Sequence, residues 1–192
     1  MEILKITRKD VKDGKYIRGT VDFDGHVEIA ENLGYVFFAS LKATGYIYAK
    51  AGSGIKAGEG IRAGWGIEAG EGIKAGSGIK AGEGIEAGEG IEAGEGIKAG
   101  DGIKAGWGIK AGEGIKAGSG IKAGEGIEAG SGIKAGEGIE AGLTISVKLR
   151  IFAGLIMWRD PQPKELEIKC KRLESGKVAY GKLIESNPNK DK

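Results

Sequence analysis

Residues 69–86 read AGEGIKAGSGIKAGEGIE, three six-residue units in which only two positions change. The motif Ala-Gly-x-Gly-Ile-z runs without interruption for fifteen units, from Ala51 to Glu140. A fixed short period is the signature of a solenoid, in which each unit buries its apolar side only by stacking on its neighbours. Within a unit, Ile-z-Ala has the apolar–polar–apolar order of a strand, so that Ile73 and Ala75 point inward and Lys74 outward. Gly-x-Gly is then the turn, where glycine supplies positive φ and lets neighbouring coils approach closely. The two variable positions are the two that face water.

A helix is a poor reading of the array, since each of its two glycines per unit costs about 1 kcal/mol relative to alanine. Disorder is the stronger rival, because glycine-rich charged segments can stay unfolded. Against it stands the invariant Ile, worth about 1.5–3 kcal/mol when buried. Ladder bonds between coils add a net of about 0.5–1.5 kcal/mol apiece. Stability therefore depends on stacking many coils.

Composition narrows the class. The chain has 192 residues, of which 39 are glycine and 3 proline. With no strict Gly-X-Y period, collagen is excluded. The single Cys170 cannot form an internal disulfide, which suits a reducing cytoplasm. No apolar run reaches the length of a membrane span, and MEILKITRKD is no signal peptide. A cytoplasmic protein with no membrane partner is expected. Net charge is +2, placed as +1 over residues 1–50, −4 over the array and +5 over 141–192. Totals this small mark neither a DNA-binding stripe nor an acidic mimic.

The period extends upstream in degenerate form, through Val21-Asp22-Phe23, Val27-Glu28-Ile29, Leu33-Gly34-Tyr35, Leu41-Lys42-Ala43 and Ile47-Tyr48-Ala49. This predicts a strand and cap over 1–19 and a solenoid over 20–142. Beyond Gly142, strict alternation from Leu143 to Ile151, then ELEIKC (165–170) and KVAYGKLIE (177–185), predict a small antiparallel sheet capping the other end over 143–192, with NPNKDK as a frayed tail. The fold class is thus all-β, a single-stranded β-solenoid of hexapeptide repeats with irregular N-terminal coils and an antiparallel C-terminal cap. Two, three or four units per coil remain open, because like-charge stacking at x favours three while stacking at z does not.

The repeat resembles the left-handed hexapeptide β-helix of acyltransferases, which have an aliphatic residue every six and a small residue two before it. Here the residue two before Ile is Glu, Ser, Asp or Trp, and the small Ala lies two after. The array is also similar to bactofilin-type polymerising solenoids. As a whole, the irregular start, the AGxGIx array and LRIFAGLIMW resemble small repeat proteins of phages and prophages, a set that includes candidate anti-CRISPR inhibitors of host defence. That resemblance implies residence in the host cytoplasm and no active residues.

Chemistry is sparse. The acyltransferase resemblance implies a histidine base, and the one histidine, His26, sits beside Asp24-Gly25 as a surface turn residue. One Cys and one His make no usual zinc site, and nothing resembles a phosphate loop or a nucleophile elbow. No catalytic, cofactor or metal residue is assigned, and the chain is read as not an enzyme.

Binding has three candidate carriers. Trp65 and Trp107 occupy x positions that otherwise hold Ser, Glu or Asp, and exposed tryptophans are common interface anchors. They lie seven units apart, so with two or three units per coil they fall on different edges. With three units per coil, Arg62, Lys80, Lys98, Lys116 and Lys134 form one row of cations. Phe152, Leu155, Ile156, Met157 and Trp158 are candidates for a homodimer interface. The expectation is a rigid charged rod that binds a protein partner, with nucleic acid less supported. A self-assembling solenoid is the alternative, and an acyltransferase-like protein the third.

Overall fold

The computed structural model describes residues 1–156 and 159–186. Each Ile-z-Ala triplet of the array is a strand with the pattern buried, exposed, buried, three residues long from Ile61 onward and part of the five-residue strand Ser53–Ala57 at the start. From Ile55 to Ile139 every repeat isoleucine is at most 1% exposed, and the alanines from Ala57 to Ala141 at most 7%. These side chains fill one continuous core along the axis.

Coil length is settled by the register. Ile61 pairs with Ile79, Ile79 with Ile97, Ile97 with Ile115 and Ile115 with Ile133, all in parallel. Ile67, Ile85 and Ile103 follow the same spacing, as do Ile73, Ile91 and Ile109. Three hexads make one coil, and three rows of strands make three faces. The solenoid has about nine turns, which at a strand spacing of about 4.8 Å gives a rod of roughly 43 Å. Corners are bonded as regularly as strands: Gly100 N–H donates to Ala81 O at 3.2 Å and Asp101 N–H to Glu83 O at 3.3 Å.

The two glycines of a hexad do different work, and positive φ is not the reason for either. Only Gly52 in the array takes a left-handed φ, at 69°. The first glycine packs its α-carbon onto the carbonyl of the coil beneath. A Cβ on Gly100 would overlap Gly82 O, and one on Gly82 would overlap Gly64 O. At the second glycine the contact is tight but does not overlap, with a Cβ on Gly102 falling 3.3 Å from Gly120 O. Ser53 is the exception among x residues, being fully buried, donating to Ala30 O at 2.7 Å and accepting from Leu33 N–H at 3.0 Å.

Both ends differ from expectation. The solenoid begins at residue 2 rather than 20, because Glu2–Ile6 stacks in parallel on Gly25–Ile29 as a rung of its own. Between them, Asp13 (φ 49°) and Gly14 (φ 73°) close a hairpin of Val11–Lys12 with Lys15–Tyr16, the left-handed pair that a two-residue turn demands. The third upstream triplet is shifted: the strand is Gly34–Phe38, with Val36 and Phe38 fully buried and Val36 stacked on Ile55. Early coils are longer, with Val21, Leu41 and Ile61 in register at twenty-residue spacing.

Among the described residues, the antiparallel cap predicted over 143–192 is not formed. Thr144–Phe152 pairs in parallel with Ile127–Ala129 through Ile145 and with Ile133–Ala135 through Ile151, so this one strand turns a corner and serves two faces. Glu167–Cys170, Arg172–Tyr180 and Lys182–Glu185 continue the parallel winding. The physical reason is that Ile145, Ile151 and Ile168 extend the existing isoleucine columns, which a hairpin reversal would abandon. After Phe152 the backbone of Ala153 and Gly154 stays bonded to the coils, through Tyr180 O and Glu137 O, and Pro163–Leu166 forms a short 3-10 turn before the next rung. No helix among the described residues is long and apolar enough to cross a membrane.

Candidate functional site

With three hexads per coil, the z residues form three rows, one per face. On the second face the row runs Glu28, Tyr48, Glu68, Glu86, Lys104, Lys122, Glu140. On the third it runs Lys56, Lys74, Glu92, Lys110, Glu128. Opposite charges meet in register at several rungs of both. Lys74 pairs with Glu92 at 3.3 Å, Lys110 with Glu128 at 3.1 Å and Lys122 with Glu140 at 3.2 Å, and Lys104 engages Glu86.

The first face is built otherwise. Arg62, Lys80, Lys98, Lys116 and Lys134 stack one upon the next, the row expected from the sequence. Lys42 extends it by one rung but is held by Asp22 at 3.1 Å. Among the described residues, none of the other five has an acidic partner within 4 Å. Like charges directly opposite one another destabilise a sheet; the other two faces also stack Glu68 on Glu86, Lys104 on Lys122 and Lys56 on Lys74, but each of these steps adjoins an ion pair, whereas the first face stacks cations at every rung from Arg62 to Lys134. The row is one residue wide. The turn columns on its two sides carry Glu59, Glu95 and Glu113 on one edge and Glu83, Asp101 and Glu137 on the other.

Each face is grooved lengthwise. The second glycine of each hexad leaves a trough between the raised x column and the z row, because no side chain stands there. The trough beside the cationic row holds about 860 Å³ and ends at Arg150 and Phe152. The trough of the second face holds about 840 Å³ between Tyr46 and Trp65 at one end and Lys164 and Glu167 at the other. On the third face Tyr35 occupies the start of the trough. A Cβ on Gly54 would meet its ring and one on Gly72 its hydroxyl, and that hydroxyl donates to Glu89 Oε2 at 2.9 Å. Burial, followed by this bond to a carboxylate, raises the phenol to about 12.

Trp65 and Trp107 are on different edges, as expected. Trp65 N–H bonds to Gly45 O and its column continues to Glu83, while Trp107 lies between Glu89 and Glu125. They are 44% and 55% exposed. His26 is not a surface turn residue. It lies in the strand Gly25–Ile29 at 9% exposure, stacked on Tyr46 at 4.0 Å and tilted against Trp65 at 4.9 Å. Its Nδ1 accepts the Tyr46 N–H at 3.1 Å, so the ring is a packing element of the wall beneath Trp65.

Phe152, Leu155 and Ile156 are half-buried in the chain's own last coils, with Leu155 N–H donating to Ala135 O at 3.2 Å. Met157 and Trp158, the other two interface candidates, lie outside the described residues. Tyr46 and Tyr48 are the functional candidates that sequence reasoning missed. Their signal was the twenty-residue spacing that places them beside Trp65. No protein-family model, curated protein or solved structure matches the chain.

Proposed function

We propose that the protein is a non-enzymatic β-solenoid that binds an acidic segment of a protein partner along the row Arg62, Lys80, Lys98, Lys116, Lys134. The observation that carries this reading is the stacking of five cations on one face with no acidic partner among the described residues, whereas each like-charged step on the other two faces adjoins an ion pair. A row that costs stability in the free protein is supported by what it gains when occupied. Its width favours a narrow ligand: the row spans about 19 Å at 4.8 Å per rung, and the carboxylates of both bordering columns repel the broad negative surface of a duplex or a membrane. The covered ring of His26 supports the absence of acyltransferase chemistry. The resemblance to small phage repeat proteins supports one setting, an inhibitor that occupies the surface of a host defence protein.

The test is fluorescence anisotropy with a labelled twenty-residue acidic peptide, a twenty-base-pair duplex and anionic vesicles. The peptide is expected to bind most tightly, to weaken as salt rises, and to be lost on K80E/K98E/K116E. Tighter binding of the duplex, or indifference to the triple substitution, overturns the reading.

A second reading, self-assembly, is favoured by the parallel C-terminal end. Arg172–Tyr180 and Lys182–Glu185 are terminal rungs on which no further strand stacks among the described residues, and such edges pair readily with another chain. Filaments in electron micrographs, or a dimer in sedimentation that is lost on Phe152→Ser, support it. A monomer at all concentrations removes it.

A further inference from the structure

The trough of the second face carries a ligand chemistry of its own, independent of the cationic row. Tyr35 shows how this fold holds a long, flat, donor-tipped side chain: lengthwise on the glycine floor, over Gly54 and Gly72, with its tip on the edge carboxylate Glu89. On the second face the residue aligned with Tyr35 is Tyr46, and it turns the other way. It stacks on His26 and donates to Glu28 Oε1 at 2.8 Å. The glycine floor from Gly66 onward is therefore uncovered, and Tyr46, Tyr48 and Trp65 become an aromatic wall at its end.

The charge beside that wall is negative and unmatched. Glu83 leans over the floor, its Oε2 4.0 Å from the point a Cβ on Gly66 would occupy. Across the trough, Glu68 stacks between Tyr48 and Glu86, and Glu86 is already engaged by Lys104. Among the described residues, neither Glu68 nor Glu83 has a cation within 4 Å. An aromatic face flanked by two unpaired carboxylates is complementary to a cation. A guanidinium fits better than an ammonium here, being planar enough to lie on the floor as Tyr35 does, able to stack on an indole, and forked toward two carboxylates at once.

We propose that the aromatic end of this trough binds an arginine side chain presented by an extended segment of a partner protein, with the guanidinium against Trp65 and bonded to Glu68 and Glu83. The segment is extended because the floor continues from Gly66 to Gly138, about 19 Å or roughly six residues of strand, before Lys164 and Glu167 close it.

The probe is a fluorescein-labelled hexapeptide with one central arginine among glycine and serine, compared with the same peptide carrying citrulline or tyrosine, and with arginine amide alone. The arginine peptide is expected to bind about tenfold more tightly than its neutral citrulline isostere. E68Q/E83Q and, separately, Trp65→Leu should each remove most of that advantage, with Trp107→Leu as the control that leaves it intact. Circular dichroism melts keep folding losses apart from binding losses. Equal binding of the citrulline or tyrosine peptide overturns the guanidinium assignment. Arginine amide binding as tightly as the peptide overturns the extended partner, and an effect of Trp107→Leu equal to that of Trp65→Leu overturns the location.

Discussion

Replacing Gly100 and Gly102 by alanine, one at a time, should give very unequal losses although the two residues stand two apart in the same turn. At Gly100 the new methyl falls inside the Gly82 carbonyl of the coil beneath, which is backbone and cannot rotate away. Van der Waals separation near 3.5 Å is restored only by lifting one coil off another by more than 1 Å. That stretches the bonds Gly100 N–H to Ala81 O and Asp101 N–H to Glu83 O, now 3.2 and 3.3 Å, out of range. Losing two or three ladder bonds at about 0.5–1.5 kcal/mol each, with strain in the Ile97 and Ile103 strands besides, predicts about 2–4 kcal/mol of destabilisation. At Gly102 the methyl lies 3.3 Å from Gly120 O, a tight contact that a shift of a few tenths of an ångström relieves. Set against the reduced freedom of the unfolded chain, that adjustment should keep the change in stability at Gly102 within about 1 kcal/mol. Urea unfolding followed by circular dichroism reads both. Equal losses at the two positions would refute the idea that coil contact, rather than turn conformation, selects the first glycine.

Lys98→Glu places a carboxylate between Lys80 and Lys116, and the urea midpoint should rise by an equivalent of about 0.5–1 kcal/mol while binding of the acidic peptide falls. A lower midpoint would show that the row is not self-repelling. Tyr35 has a phenol held near 12 in the folded state, above the ordinary value near 10. The folded chain therefore holds that proton more tightly, its contribution is complete below pH 10, and it is lost as pH rises from 10 to 12. Tyr35→Phe should flatten that part of the stability profile and cost about 0.5–1.5 kcal/mol at neutral pH, measured by denaturant titration across the range.

The array could be read directly because a six-residue period with one invariant isoleucine leaves only one face to bury. Coil length could not, since two rows mix like-charged and opposite-charged steps and one stacks cations throughout, so no single electrostatic rule fits Lys74–Glu92 and Lys80–Lys98 together. The two glycines look alike in sequence, and only stacking reveals that a Cβ would overlap backbone at Gly100 and merely crowd it at Gly102. Alternation from Leu143 to Ile151 suits a hairpin strand as well as a corner-turning one; the choice lies in Ile145 and Ile151 joining columns set by Ile127 and Ile133. The Asp13-Gly14 hairpin was legible as a dipeptide and went unread. Tyr46, by contrast, acquires meaning only when the longer early coils bring it onto His26 and beside Trp65.

Everything depends on residues eighteen apart standing side by side. Paired cysteines at Lys80 and Lys98, opposite one another in parallel register, should close to an intramolecular disulfide under mild oxidation, since rungs about 4.8 Å apart lie within disulfide reach. The buried Cys170 can be left in place. Cysteines at Lys80 and Glu92, twelve apart and on different faces, should stay open. Closure of the second pair without the first would contradict the three-hexad coil, and with it the cationic row and the troughs.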